Sequence, residues 1–151
     1  MNIKNYTSNV SVDRSVSDIE HCLVSAGASH IAKAYDTEGH VQALIFQMPN
    51  GKGEQLTFKL PARWQKVFEK MWKQVRRPRK ETHDRVFEQA QKTAWKLLYD
   101  QVAVQTSNIL IDQQDSIEAF FPYLYDGRRD KTIYELAKDT GFKQLTTGAP
   151  Q

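Results

Sequence analysis

Seven cations crowd one short stretch of the chain: Lys66, Lys70, Lys73, Arg76, Arg77, Arg79 and Lys80. Lys66, Lys70, Lys73 and Arg77 follow one another at steps of four, three and four, which on a helix sets them in a line along one face. Like charges so placed repel by roughly a few tenths of a kcal/mol per pair. An anion facing the line removes that penalty, and phosphate suits it because neutralising phosphate also releases counterions. Trp72 lies at the edge of the adjoining apolar stripe, where an indole can stack on a base. The chemistry that these residues suggest is sequence-tolerant binding of nucleic acid, DNA or RNA, through phosphate. A solvated helix face reads the same way, because Lys and Arg are good helix formers. Glu69, Glu81, Asp84 and Glu88 lie near enough to pair with part of the block, and Trp72 fits a core equally well. Both readings stand at this point.

No catalytic framework accompanies the basic block. Gly51-Lys52-Gly53 lacks the spacing of a phosphate-binding loop and sits where a hairpin turn is expected. His21, His30, His40 and His83 show neither the HExxH step nor any cysteine partner of a zinc site. No nucleophile elbow frames a serine. The expectation is a non-enzymatic protein with no catalytic residue, no metal and no cofactor, leaving open a meeting of His21 or His30 with Asp36 or Glu38.

The charge is uneven along the chain. Residues 61 to 99 hold eleven Lys and Arg against four Asp and Glu, a net of +7. The flanks carry net charges of −1 and −3, and the whole 151-residue chain carries +3. Such asymmetry speaks about partners rather than fold. The length suits one domain, taken here as a single compact α+β domain over 1 to 145 with a flexible tail at 146 to 151. Cys22 is the only cysteine, which excludes an internal disulfide. No charged-then-apolar segment opens the sequence, so the expected compartment is the cytoplasm. No apolar run approaches the roughly 18 to 20 residues that cross a bilayer.

The elements that must position the cations are organised around residues 83 to 108, which contain neither proline nor glycine. Phe87, Ala90, Ala94, Leu97, Leu98 and Val102 recur there at helical steps and predict one long amphipathic helix. Trp95, Lys96 and Tyr99 fall beside that stripe. Upstream, Ser15 with Asp18 and Ser17 with Glu20 form overlapping capping boxes that predict a helix over 15 to 26, burying Val16, Ile19, Cys22 and Leu23 and closed by Gly27. Residues 1 to 9 are left loose. Strands over 29 to 35, 41 to 48 and 55 to 60 are separated by Asp36-Thr37-Glu38-Gly39 and Pro49-Asn50-Gly51-Lys52-Gly53. The second strand, apolar on both sides, is expected at the centre of a three-stranded antiparallel meander. Trp64, Val67, Phe68, Met71 and Val75 predict a helix over 62 to 76, forming a hairpin with the long helix after the break at Arg77-Pro78. Beyond Asn108, Asp115 or Ser116 caps a short helix that Pro122 ends or kinks, and Thr132 with Glu135 caps a last one.

A second function also fits these residues. Phe121, Tyr123 and Tyr125 offer an aromatic surface for a protein partner, the acidic C-terminal third suits a basic one, and the long helix offers a homodimer seam. RSVSDIEHCLVSAGA, FKLPA, AWKLLYDQVAVQ, and EAFFPYLYD followed by KTIYEL resemble small proteins that recur in tailed-phage and prophage genomes. The resemblance spans most of the chain and carries no activity with it. It implies a phage-encoded cytoplasmic factor, encoded among genes for DNA handling or for managing the host.

Overall fold

Alternation of apolar residues and two glycine-bearing turns shape the first half of the molecule. A computed structural model describes residues 2–147, so the expected tail lies mostly outside the described residues, from 148 on. Helix α1, Val12–Ser25, starts earlier than the capping boxes predict: Ser11 is the N-cap, its Oγ accepting from the Arg14 N–H at 3.1 Å. Ser15 instead lies inside the helix, fully buried, with no hydrogen-bond partner for its Oγ. Starting at Val12 lets that residue pack on the core beside Val16, Ile19 and Leu23. The gain outweighs the better local cap. Gly27 then takes φ 109°, a conformation that a side chain would strain, and the chain turns into the sheet.

Strands β1 (His30–Tyr35), β2 (Val41–Pro49) and β3 (Gln55–Pro61) form an antiparallel sheet in the order β1-β2-β3, with the apolar strand central. Asp36 organises the first turn. Its Oδ1 accepts from the Glu38 and His40 N–H groups at 2.9 and 2.8 Å, and its Oδ2 from the Gln42 amide and the His40 ring, each at 3.1 Å. Desolvation would raise the Asp36 carboxyl, but these bonds and the His40 charge outweigh it and hold the group below the usual carboxylate range. Leu44, Phe46, Met48, Phe58 and Leu60 all point to one face, as the two-residue period requires, and are buried there. Phe46 stacks on Phe58 at 5.2 Å, and Phe120 meets Phe46 edge-on at 5.4 Å.

Helices α2 (Trp64–Trp72) and α3 (Lys80–Leu110) form the expected hairpin. Trp64 meets Phe87 while Trp72 meets His83, so the two run antiparallel. α3 packs against both α1 and α2, which widens its buried stripe. Thr93, Trp95 and Thr106 join Ala90, Ala94, Leu98 and Val102 in the interior. Trp95, placed beside the stripe by its spacing, is 1% exposed and belongs to the core cluster.

Asp115 caps α4 (Ser116–Phe120), Pro122 lies in the 3-10 turn Phe121–Tyr123, and α5 (Ile133–Asp139) carries the Thr132–Glu135 capping box in full. A two-residue ladder, β4 (Tyr125–Asp126) with β5 (Lys131–Thr132), is an element that the sequence did not suggest. The whole is an α+β fold of N-terminal helix, antiparallel sheet, long helix and short C-terminal helices.

Residues 5 to 8, expected to be loose, lie across the middle of α3. Thr93 Oγ1 donates to the Asn5 carbonyl at 2.9 Å, and Gln89 Nε2 donates to the Tyr6 and Ser8 carbonyls at 3.1 and 3.0 Å. Asn5 Nδ2 donates to Asp100 at 2.8 Å, and Lys4 Nζ lies 3.1 Å from the same carboxylate. Against the upward push of desolvation, the bonds from Asn5, Lys4 and Lys96 hold the Asp100 carboxyl below its ordinary value.

Candidate nucleic-acid interface

The apolar residues of α2 decide where its cations point. Trp64 and Met71 are buried, Val67 and Phe68 half-buried, and Lys66 and Lys70 are left facing outward. The helix is shorter than the expected 62 to 76. The N–H groups of Gln74 and Val75 bond back only three residues, to Met71 and Trp72, each at 3.1 Å, which tightens and ends the helix. Lys73 is its C-cap. The line of four cations therefore stops at Lys73. Arg76 and Arg77 lie in the connecting turn, Arg79 is the N-cap of α3, and Lys80 is its first residue.

All seven side chains are exposed. Among the described residues none of them lies within 4.0 Å of a carboxylate, because every ion pair there uses another cation. Of the acids expected to compensate them, Asp84 instead lies 3.4 Å from His83 Nδ1, while Glu69, Glu81 and Glu88 pair with none of the seven. The helix ends divide the cations into two groups. Lys70 and Lys73 stand at the C-terminus of α2, where the macrodipole favours positive charge. Arg79 and Lys80 stand at the N-terminus of α3, where it opposes them by about 0.3–1 kcal/mol each. Arg79 also brings no side-chain acceptor to the cap.

Trp72 is half-buried. It stacks on Phe68 at 5.9 Å and meets the His83 ring at 5.3 Å, the outer end of a ladder that continues through Phe87 and Trp64 to His40. The indole thus has packing on one side and solvent on another. His40, not His21 or His30, is the histidine that joins Asp36, and Glu38 Oε2 lies 3.9 Å away. Among the described residues, no three His, Cys, Asp or Glu side chains are grouped to hold a metal.

A cleft opens at each end of α2. The first, about 820 Å³, is bounded by Tyr6, the end of α2 with its turn, and the first turns of α3, and it holds Arg76, Arg77 and Arg85. The second, about 740 Å³, gathers Arg63, Lys66, Lys131 and Lys138 with Tyr123 and Tyr134. Lys131 there is paired with Asp139, whose hydrogen bond and charge raise the ammonium above its ordinary value. Arg85 and Arg63 were missed by a reading centred on the crowded stretch. A signal existed for Arg85: Thr82, Arg85, Val86 and Gln89 share one face of α3 by spacing.

The proposed aromatic surface is dispersed. Phe121 is 50% exposed, Tyr123 lines the second cleft, and the Tyr125 hydroxyl donates to Asp130. That bond raises the Tyr125 phenol and, with Lys59, lowers the Asp130 carboxyl. Larger apolar exposure occurs at the far end of α3, on Val104, Leu110 and Ile111. Among the described residues, no helix is long and apolar enough to cross a membrane. Compared with family models, curated proteins and solved structures, the chain matches none.

Proposed function

We propose that this chain is a nucleic-acid-binding accessory protein of phage type, acting in the cytoplasm, that grips phosphate with Lys66, Lys70, Lys73, Arg76, Arg77, Arg79 and Lys80. One observation carries the reading: seven exposed cations on a helix, a turn and a helix start, with no carboxylate within 4.0 Å of any of them among the described residues. A merely solvated basic face gains by pairing with its own acids, and Glu69, Glu81 and Glu88 are close in sequence for that purpose. Trp72 adds a ring for stacking beside the phosphate track.

The test is fluorescence anisotropy of labelled single- and double-stranded oligonucleotides over a salt series, beside a variant with Lys66, Lys70, Lys73 and Arg77 all changed to Glu. Four phosphates neutralised on a single strand give a log–log slope near −3, so about 50-fold weaker binding at fourfold higher salt. The variant is expected to lose binding while keeping its fold by circular dichroism. No binding by the wild type at low salt refutes the proposal. A second reading, a protein-interaction module or homodimer, is favoured by the exposure of Val104, Leu110 and Ile111 on the long helix and of Phe121. Sedimentation over a concentration range tests the homodimer.

A further inference from the structure

The first cleft differs from the open basic face in being walled, and its walls are built. Gln89 and Thr93 hold the Asn5, Tyr6 and Ser8 carbonyls against α3, so Tyr6 stands as a fixed side of the cleft. Met71, Val75 and Val86 supply apolar lining, and Arg76, Arg77 and Arg85 supply charge. No acidic residue lines the cleft, and none of the three guanidiniums lies within 4.0 Å of a carboxylate among the described residues. Its volume of about 820 Å³ falls within the roughly 300–1,000 Å³ of small-molecule sites.

We infer that this cleft takes a nucleotide bearing a terminal phosphate monoester, the phosphorylated end of a strand whose internal phosphates follow α2. The inference rests on the nucleic-acid reading and deepens it. Three arginines exceed what one internal phosphodiester, a monoanion, can neutralise. A terminal monoester carries about −1.5 to −2 near pH 7 and three oxygens, which guanidinium forks bind in pairs. The Tyr6 ring and the apolar lining give the attached base or sugar a surface, and the Gln74 amide at the cleft offers donors and an acceptor to a base edge. The track adjoins the cleft along the chain, because α2 ends at the cleft: Lys66, Lys70 and Lys73 on the helix are followed by Arg76 and Arg77, which line it.

The test compares one single-stranded oligonucleotide in three forms, with a 5′-phosphate, with a 3′-phosphate, and with hydroxyls at both ends, by competition anisotropy. One phosphorylated form is expected to bind about tenfold more tightly than the hydroxyl form, and which one identifies the end. That preference should shrink as the pH falls through the second phosphate pKa near 6. Arg85→Gln should abolish the preference while leaving the hydroxyl form's affinity in place, whereas Lys66→Glu with Lys70→Glu should weaken all three forms together. Equal binding of the three forms by the wild type overturns the inference and leaves the phosphate track standing. If no oligonucleotide binds in any form, the track and the strand-end inference fail together.

Discussion

Changing Thr93 to Val removes one hydroxyl from the place where the N-terminal segment is tied to α3, and little else. Thr93 is fully buried and Val keeps its shape, so the change isolates the bonds. Its Oγ1 donates to the Asn5 carbonyl at 2.9 Å, lies 3.4 Å from the Tyr6 carbonyl, and accepts from Gln89 Nε2 at 3.3 Å. Neither carbonyl is orphaned by the change, because Asn5 O keeps the Ser8 N–H at 3.0 Å and Tyr6 O keeps Gln89 at 3.1 Å. The cost is therefore that of one good hydrogen bond, about 1 kcal/mol, rather than the larger penalty of an unpaired buried group. For a chain of this size that lowers Tm by about 2–4 °C. Urea unfolding should show a lower midpoint at unchanged slope. Gln89→Ala releases the same segment, so the two losses overlap, and the double variant should cost less than the sum of the singles by about 0.5 kcal/mol or more. Hydrogen exchange of the Ser8 amide, bonded to Asn5 O, should quicken in either single variant. A Thr93→Val protein within about 0.3 kcal/mol of wild type, with strict additivity and an unchanged Ser8 amide, refutes the account of residues 5 to 8 as a tied segment.

Three further expectations follow from the same geometry. Phe46→Ala, which empties the stack between Phe58 and Phe120, should destabilise by about 3–5 kcal/mol in urea; a loss under about 1 kcal/mol would contradict this packing. Arg79→Asp puts an acceptor and a negative charge where α3 has neither, so it should stabilise by about 1 kcal/mol by calorimetry while weakening oligonucleotide binding, and an unchanged or lower Tm would count against the uncapped helix start. Asp36 and Asp100 both titrate below their ordinary range in the folded chain, so the unfolded chain binds their protons first on acidification. Their stabilisation is complete above the unfolded carboxylate pKa of about 3.9 and is lost as pH falls through the lower folded values. Unfolding midpoints followed to low pH should therefore drop less steeply in Asp36→Asn with Asp100→Asn than in wild type. Parallel profiles would count against the two carboxylates.

Local signals carried well into the structure. The hairpin turns, the central position of the apolar strand, the Asp115 cap and the Thr132–Glu135 box each depend on residues within a few positions of one another, and the folded chain has them all. Trouble began where distant partners decide. Ser15 carries the capping-box pattern, yet α1 starts at Val12, capped by Ser11, and Val12 packs against the core cluster. Trp95 falls beside the narrow stripe by its spacing, and it packs in the core because a helix flanked by α1 on one side and α2 on another buries more than one stripe. The tie of residues 5 to 8 to Gln89 and Thr93 leaves no periodic mark in either segment, since carbonyl acceptors are the same in every residue. At the candidate interface the cations themselves were plain in the sequence. Their division between a helix end that favours charge and one that resists it became visible only with the break at Trp72.

α3 is a single helix of 31 residues, hence a rod of about 46 Å. Its first turns border the arginine cleft, and its last turn carries the exposed Leu110. A rod of that length acts as a fixed spacer. Whatever sits at the arginine end and whatever touches Leu110 and Ile111 are held several nanometres apart, so both ends can be engaged at once without collision, and neither occupant needs to know the shape of the other.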